Sequence, residues 1–491
     1  MEADDVSIRE QIFHDRVRET IISVLIFVCL YIVSYFVITH YKKNAEFDTD
    51  DSEDATVNRI VLCLCTFTLS VSVGAVLLLP LSILSNEVLL SFPHSYYMQW
   101  LDGSLIHGLW NLVFLFSNMS LVFLLPFAYF FTESEGFVGS KKGLMGRVYE
   151  TAVVLVLLAA LVLGMAWVAS ALLHHSSATE TLYDLWEYHL LYLYSCISLF
   201  GVLLLLLCTP FGLSRIFSIT GYLLVKPRLL EDVDETVNCA TFEEAALARK
   251  MTNGTPCWIN MNVAVMKRQF LSIQTRRIAL EMRRKASPWQ RNLGYPLAML
   301  LLLALTVVCV LTVIFHALEL LFDDDAMPRG MEDPLLGAAS FSVFGSLGAA
   351  VQVVLILYLM VSSVVGFYSS PLFTSLLPRT QDTTLTQIIG NCVSLLVLSS
   401  ALPVFSRTLG ITRFDLLGDY GRYNWLGNFH IVFLYNMLFA GLTSACLINT
   451  VTLAVRRELI RAFGLHKLPL TVCRSTVPFK LLLANGLSKI Q

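Results

Sequence analysis

The sequence has few charged residues for its length. Asp, Glu, Lys and Arg make up 14% of its 491 residues and hydrophobic residues make up 56%, whereas an ordinary soluble domain is about 25% charged. This composition excludes a soluble globular protein. Basic residues are not in excess either, because 34 Lys and Arg stand against 37 Asp and Glu. Without an overall positive charge, no nucleic-acid partner is predicted, and membrane lipid is the surrounding medium that we expect.

Long apolar runs dominate the chain. A transmembrane helix needs about 20 mainly apolar residues to cross a hydrocarbon core about 30 Å thick. The sequence contains nine such runs, and none of them contains Asp, Glu, Lys or Arg. We therefore predict an all-α fold, a polytopic transmembrane helical bundle. The predicted spans are residues 21–39, 60–81, 105–131, 151–173, 190–208, 297–318, 343–368, 387–405 and 431–455.

Lys and Arg are distributed unevenly between alternate loops of the predicted bundle. The odd-numbered loops and the C-terminal segment hold 27 of them, and the N-terminal segment and even-numbered loops hold 7. Basic residues near span ends are retained on the cytoplasmic side of a membrane. We therefore predict that the N-terminus lies outside and the C-terminus in the cytosol, with loops two and eight extracellular.

The spans divide the chain into four predicted units. These are a first five-helix transmembrane unit (1–208), a cytosolic loop with amphipathic helices (209–296), a last four-helix transmembrane unit (297–455) and a cytosolic tail (456–491).

Two helices are predicted within the cytosolic loop. Thr241 followed by Glu244 is a capping-box pattern, which predicts a helix start at Thr241. Apolar residues at helical spacing predict a second, basic helix over 262–285. Three roles are open for this basic helix. It packs on its own bundle or a partner helix, it docks on anionic lipid, or it is recognised by a calmodulin-type protein.

The sequence lacks the residue groups that enzymes and metal sites need. The predicted spans contain no carboxylate, and His107 and His316 are their only imidazoles, near the span ends. Eight of the eleven cysteines lie in spans or at their edges, and Cys239, Cys257 and Cys473 lie in predicted cytosolic segments, so no extracellular disulfide is expected. We predict no catalytic, metal or cofactor-binding residues, and we do not expect an enzyme.

For the polar and small residues within the spans, contacts between helices are the favoured interpretation. Amide side chains there predict interhelical hydrogen bonds, and a polar cavity for a neutral or amphipathic ligand is the alternative. Small-xxx-small spacing predicts close helix packing at three pairs, Gly345 and Ala349, Ser346 and Ala350, and Gly441 and Ala445. The amide residues are Asn111, Asn118, Gln352, Gln387, Asn391, Asn436 and Asn449.

Aromatic residues are concentrated in two of the predicted outer loops. Loop two carries Tyr97 and Trp100, and loop eight carries Tyr420, Tyr423 and Trp425. Tyr and Trp favour the headgroup level of a membrane, so interfacial anchoring is one interpretation. Contact with an extracellular protein ligand is the other, because Tyr and Trp are enriched in recognition surfaces.

Three sequence blocks resemble the limb-region family of polytopic membrane proteins. The first is residues 96–110 (Tyr-Tyr-Met-Gln-Trp-Leu-Asp-Gly-Ser-Leu-Ile-His-Gly-Leu-Trp) with 114–118. The second is residues 209–213 (Thr-Pro-Phe-Gly-Leu), leading to 225–227 (Val-Lys-Pro). The third runs from 366–371 (Gly-Phe-Tyr-Ser-Ser-Pro) through 416–421 to 424–430 (Asn-Trp-Leu-Gly-Asn-Phe-His).

This resemblance implies a multi-pass plasma-membrane receptor that binds a secreted lipocalin and takes it up by endocytosis. One alternative is an endoplasmic reticulum membrane scaffold that restrains Wnt receptor maturation and signalling, with quality-control proteins or further copies of the chain as partners. Another is a transport or export partner for a small ligand, since the family also includes a lysosomal cobalamin-export protein. The family offers no active-site residues to carry over, and the placement of lipocalin contact on the aromatic outer loops is our inference.

An endocytic receptor should carry a cytosolic sorting motif. Tyr222 and Val225 have the tyrosine-x-x-bulky spacing of such a motif, just after the fifth predicted span. Apolar packing of these residues against the bundle is the favoured alternative.

Overall fold

The computed structural model describes residues 2–43, 52–91, 103–134, 144–173, 181–223, 233–252, 269–275, 277–278, 281, 294–322, 346–412 and 428–462. Within these ranges the backbone is helical, apart from short turns and one β-bridge between Lys42 and Thr383.

The helices follow one another along the chain. They are α1 Glu2–Tyr41, α2 Ser52–Ser91, α3 Gly103–Met119, α4 Leu125–Glu133, α5 Leu144–Leu173, α6 Thr181–Leu223, α7 Val233–Thr252, α8 Tyr295–Phe322, α9 Ser346–Ser369, α10 Leu385–Thr408 and α11 Phe429–Ala462. A π-helical turn, Ser120–Leu124, joins α3 to α4, so these three form one continuous rod.

Eight stretches of the described helices are long and apolar enough to cross a membrane, which confirms the all-α polytopic bundle. They are Val17–Tyr41, Asp54–Leu89, Leu105–Glu133, Ile197–Gly221, Pro296–Phe322, Ser346–Ser369, Leu385–Thr408 and Phe429–Thr450. The predicted fourth span, 151–173, coincides with the 30-residue helix α5. Most side chains of α5 beyond Leu161 lie outside the described residues, and the ninth span therefore stays a prediction.

Helix α6 continues beyond the end of the predicted fifth span. The cytosolic loop was predicted to begin at residue 209, but Pro210 lies inside α6 and the apolar stretch extends to Gly221. Proline is tolerated in transmembrane helices because neighbouring helices and hydroxyl side chains satisfy the freed backbone groups. The loop predicted from residue 209 therefore starts after Leu223.

The predicted helix start at Thr241 is wrong. Helix α7 already begins at Val233, and the Thr241 hydroxyl donates a hydrogen bond to the carbonyl oxygen of Asn238, 2.7 Å away within the same helix. A mid-helix threonine makes such bonds when a helix start lies further back. Of the predicted basic helix, residues 269–275 are helical. Arg277 lies 2.9 Å from Glu244 of α7, which favours packing on the protein's own helices.

Helix α10 lies at the centre of the bundle and α1 at its edge. In the apolar stretch of α10, 78% of residues are buried, against 11% in that of α1. The Thr384 hydroxyl and the Gln387 side chain form a capping box at the start of α10. This pattern stands in the sequence as Thr-x-x-Gln, although it was not among the predicted helix starts.

Helices α6 and α9 approach each other very closely. A Cβ atom added to Gly212 would lie 1.7 Å from the carbonyl oxygen of Ser362, and one added to Gly366 would lie 1.9 Å from that of Cys208. The hydroxyls of Thr209 and Ser363 are 2.7 Å apart beside this crossing. Only glycine allows two helix backbones to come this close.

Contacts between loop-end residues place alternate helix ends on one face of the bundle. Lys42 at the end of α1 pairs with Thr383 before α10. Asp54 at the start of α2 lies 2.8 Å from Arg147 of α5. Predicted loops one, three and seven are therefore on the same side. That this side faces the cytosol stays a prediction from the basic-residue count.

Candidate functional site

The aromatic residues predicted to contact a ligand all lie outside the described residues. They are Tyr97, Trp100, Tyr420, Tyr423 and Trp425. For the predicted sorting motif, the backbone of Tyr222 is in the last turn of α6, whereas its side chain and Val225 also lie outside the described residues. The described structure does include both ends from which segment 413–427 leaves the bundle.

The first end of that segment is a tightly hydrogen-bonded helix terminus. After α10 ends at Thr408, Gly410 adopts the left-handed conformation with φ of +69°. The N–H of Gly410 donates to the carbonyl of Arg407 at 3.1 Å, and the N–H of Ile411 donates to that of Ser406 at 3.0 Å. These two bonds define a Schellman motif, which needs a residue that tolerates positive φ.

Side chains from two neighbouring helices hold the same turn. Asn436 of α11 donates from its Nδ2 atom to the carbonyl oxygens of Thr408, at 2.8 Å, and Val432, at 3.0 Å. Gln352 of α9 donates from its Nε2 atom to the carbonyl of Ile411. We call Gln352, Asn436 and the turn 408–412 the polar clamp. The interhelical hydrogen bonds predicted for these two amides are confirmed.

The polar clamp is buried although it follows the end of a helix. Leu409, Ile411 and Thr412 are each at most 2% exposed. The Thr412 hydroxyl lies 3.1 Å from that of Ser406, which satisfies one more polar group of the turn. A buried turn needs such partners, because an unpaired buried backbone group is costly.

Helix α8 also contacts the polar clamp. The ring of His316 packs against Gly410, so closely that an added Cβ would lie 2.2 Å from its Cγ atom. His316 Nδ1 is 3.9 Å from Glu319 Oε2. In the described part of the chain, no three His, Cys, Asp or Glu side chains are grouped as metal ligands would be. Four helices, α8 to α11, therefore meet at the turn 408–412, from which segment 413–427 begins.

The second end of the segment is also capped. The Asn428 side-chain oxygen accepts a hydrogen bond from the N–H of His430 at 3.2 Å, at the start of α11. This is the role of an N-cap asparagine. Both ends of segment 413–427 are therefore held by helix termini of adjacent spans. Such an arrangement holds the two attachment points of the segment.

The family of the chain follows from comparison with known proteins. A family model described as LMBR1-like membrane protein matches residues 19–256 and 257–451. The chain belongs to the LMBR1-like membrane protein family. The resemblance to limb-region proteins found in the sequence blocks is thereby confirmed.

Similar proteins match this LMBR1-like chain over nearly its whole length. Limb region 1 homolog-like protein of Danio rerio is 79% identical over 490 residues, or 100% of both chains. Protein LMBR1L of Homo sapiens is 68% identical over 476 residues, 96% of this chain and 97% of that protein. Limb region 1 protein homolog of Homo sapiens is 60% identical over 468 residues, 95% of each. No solved structure matches the chain.

Two of the blocks that resemble the LMBR1-like family lie at the crossing of α6 and α9. The block 209–213 contains Gly212, and the block 366–371 begins with Gly366, so these blocks form the α6–α9 crossing. The third block ends at 424–430, where Asn428 caps α11. The blocks therefore include positions at which this fold restricts the residue type.

A signal for the polar clamp is present in the sequence, although the clamp was not among the predicted features. Gly410 follows the last apolar residues of a predicted span, which is the usual position of a glycine that ends a helix. By contrast, the partners of Gln352 and Asn436 could not be predicted from the sequence, because both amides bond to the turn at the end of α10, and that contact depends on how α9, α10 and α11 pack.

Proposed function

We propose that this LMBR1-like membrane protein is a non-enzymatic plasma-membrane receptor. It binds a secreted lipocalin on its outer face through segment 413–427 and takes the lipocalin inside by endocytosis, without a cofactor. The single observation that carries the proposal is the polar clamp, which fixes the base of the aromatic segment with backbone hydrogen bonds from two helices.

A fixed base favours binding for a physical reason. Association costs conformational entropy when a loop must be ordered, and a loop that is already positioned loses less. Tyr and Trp add large contact areas with few rotatable bonds. Tyr420, Tyr423 and Trp425 follow the clamped turn within thirteen residues of Thr412, so the clamp restricts where their side chains can be presented.

The lipocalin partner and the plasma-membrane location come from the family resemblance. The polar clamp supports the recognition role of the segment, since an aromatic that merely anchors a helix in the headgroup layer needs no buried turn beneath it. Endoplasmic reticulum scaffolding is the competing function, and the location of the protein in cells separates the two.

Removal of aromatic side chains from the segment tests the proposal. We expect Tyr423→Ala and Trp425→Ala each to weaken lipocalin binding about thirtyfold, because a buried interface aromatic contributes about 2 kcal/mol. Surface abundance should stay unchanged. The measurement is a titration of fluorescent lipocalin on intact cells, with bound ligand normalised to an N-terminal epitope.

The matched control is Tyr149→Ala. Tyr149 is 72% exposed near the start of α5, on the opposite face of the bundle, so it can act as an interfacial anchor but not as an outer contact. Its loss should leave normalised affinity unchanged. If Tyr423→Ala and Trp425→Ala lower abundance and leave normalised affinity at the unmutated value, the segment is an anchor and the contact assignment is wrong.

A further inference from the structure

A groove of about 990 Å³ lies between the first three spans. Its lining comes from residues 19–30 of α1, 67–81 of α2 and 105–116 of α3. We call it the α1–α3 groove. Its volume is at the upper end of the range of small-molecule sites. The apolar stretch of α1 is only 11% buried, so this edge of the bundle faces the surrounding membrane.

The length of the α1–α3 groove matches one leaflet of a bilayer. Its lining on α3 runs over eleven residue steps, from Leu105 to Phe116, or about 16 Å at 1.5 Å per residue. Half of a hydrocarbon core is about 15 Å. At the deep end, Phe27, Phe67 and Phe116 form an aromatic floor with ring centroids 5.4 to 6.5 Å apart. A lipid chain that enters along the groove would therefore end at about the membrane centre.

Polar groups are found at the shallow end of the groove and at one point along it. Glu19, Thr20 and Ser23 of α1 lie at the shallow end. Asn111 of α3 lies six residues from Leu105, about 9 Å deeper, and its side chain is exposed at the groove. The Asn111 amide makes no hydrogen bond with any described residue. An amide at membrane depth without a partner is costly, so the groove offers a hydrogen bond to its occupant.

We propose that the α1–α3 groove binds one lipid molecule of the surrounding leaflet. The acyl chain lies between α1 and α3 with its end on the aromatic floor. A hydroxyl or carbonyl oxygen of the lipid accepts the Asn111 amide hydrogen bond, and the headgroup lies beside Glu19 and Thr20. This site is separate from segment 413–427 and does not depend on the proposed receptor function.

Gly108 allows the groove to be filled without disturbing the protein. It lines the groove, and a Cβ added there meets no atom within 4 Å. Leucine at this position should therefore occupy the path of the acyl chain. Gly441 of α11 is the matched control, because a Cβ added there likewise meets no atom within 4 Å, yet Gly441 lies outside the groove.

The experiment uses the full chain in nanodiscs that contain phosphatidylcholine with a diazirine group on its acyl chain. After illumination, we expect the cross-linked peptides to include α1 and α3 groove residues, with a yield that excess unlabelled phosphatidylcholine reduces. Gly108→Leu should lower this yield at least fivefold and Asn111→Leu should lower it several-fold, whereas Gly441→Leu should not change it.

Three results would overturn the proposal. The first is an equal groove yield in Gly108→Leu and the unmutated protein. The second is a yield that unlabelled lipid does not reduce, which would indicate random contact with the bilayer. The third is a groove yield that a second copy of the chain in the same nanodisc removes, which would assign the groove to a protein partner instead.

Discussion

Gly212→Ala and Gly366→Ala are each expected to remove most of the folded protein. The added Cβ would lie 1.7 Å from the carbonyl oxygen of Ser362 in the first variant and 1.9 Å from that of Cys208 in the second. Both atoms are backbone, so no side chain can move aside and helices α6 and α9 must separate. Overpacking of a core usually costs 1–3 kcal/mol and occasionally more. We expect about 3 kcal/mol or more here, which lowers the ratio of folded to unfolded protein over a hundredfold.

For the variants Gly212→Ala and Gly366→Ala, we measure the thermal unfolding temperature in detergent and the amount of monodisperse protein. Gly441→Ala is the control, since its Cβ meets no atom within 4 Å and helix propensity alone favours alanine by about 1 kcal/mol. If the Gly212 and Gly366 variants unfold at the temperature of the control, the α6–α9 crossing is not as close as described.

Gly410→Ala is expected to have the second largest effect. Its φ of +69° is unfavourable for alanine by about 1 kcal/mol, and the new Cβ would lie 2.2 Å from the His316 ring. We expect a combined loss of about 2–3 kcal/mol in stability. Because the turn is the base of segment 413–427, the proposed receptor function also predicts a lower lipocalin affinity per surface molecule.

The double variant Gly410→Ala/His316→Ala separates the two causes. Removal of the ring restores space but leaves the backbone strain, so it should recover part of the stability lost in Gly410→Ala. Thermal unfolding of both single variants and the double variant gives the coupling free energy between residues 316 and 410. Purely additive losses would show that His316 does not pack on Gly410, which contradicts the described turn.

The spans could be predicted from the sequence because each depends only on its own residues. A run of apolar residues must avoid water wherever its neighbours lie. All eight described membrane-crossing stretches overlap predicted spans. The predicted helix ends were less accurate at Pro210 and Thr241, because a helix continues wherever tertiary contacts satisfy its backbone hydrogen bonds.

Close helix packing could not be predicted, because it depends on which helices become neighbours. The small-xxx-small spacing of Gly441 and Ala445 predicted a close contact, which is wrong at Gly441, where an added Cβ meets no atom within 4 Å. A close contact instead joins Gly212 and Gly366 on two helices, where Ser362 and Gly366 do stand at that spacing but were not among the predicted pairs.

The polar clamp was partly predictable. Gln352 and Asn436 were recognised as amides within spans, and their type alone indicates that each needs a partner. That both bond to the turn after α10 depends on the packing of three helices. The aromatic residues 420, 423 and 425 remain predictions, since they lie outside the described residues.

The most direct test of the receptor account is the accessibility of the chain's two ends in intact cells. An epitope at the N-terminus should be stained without permeabilisation, and one in segment 456–491 should be stained only after it. This result places the clamped segment 413–427 outside the cell, where a lipocalin can reach it. Staining of the C-terminal epitope alone in intact cells would contradict the orientation, and staining of neither, with both epitopes in the endoplasmic reticulum after permeabilisation, would contradict the receptor function.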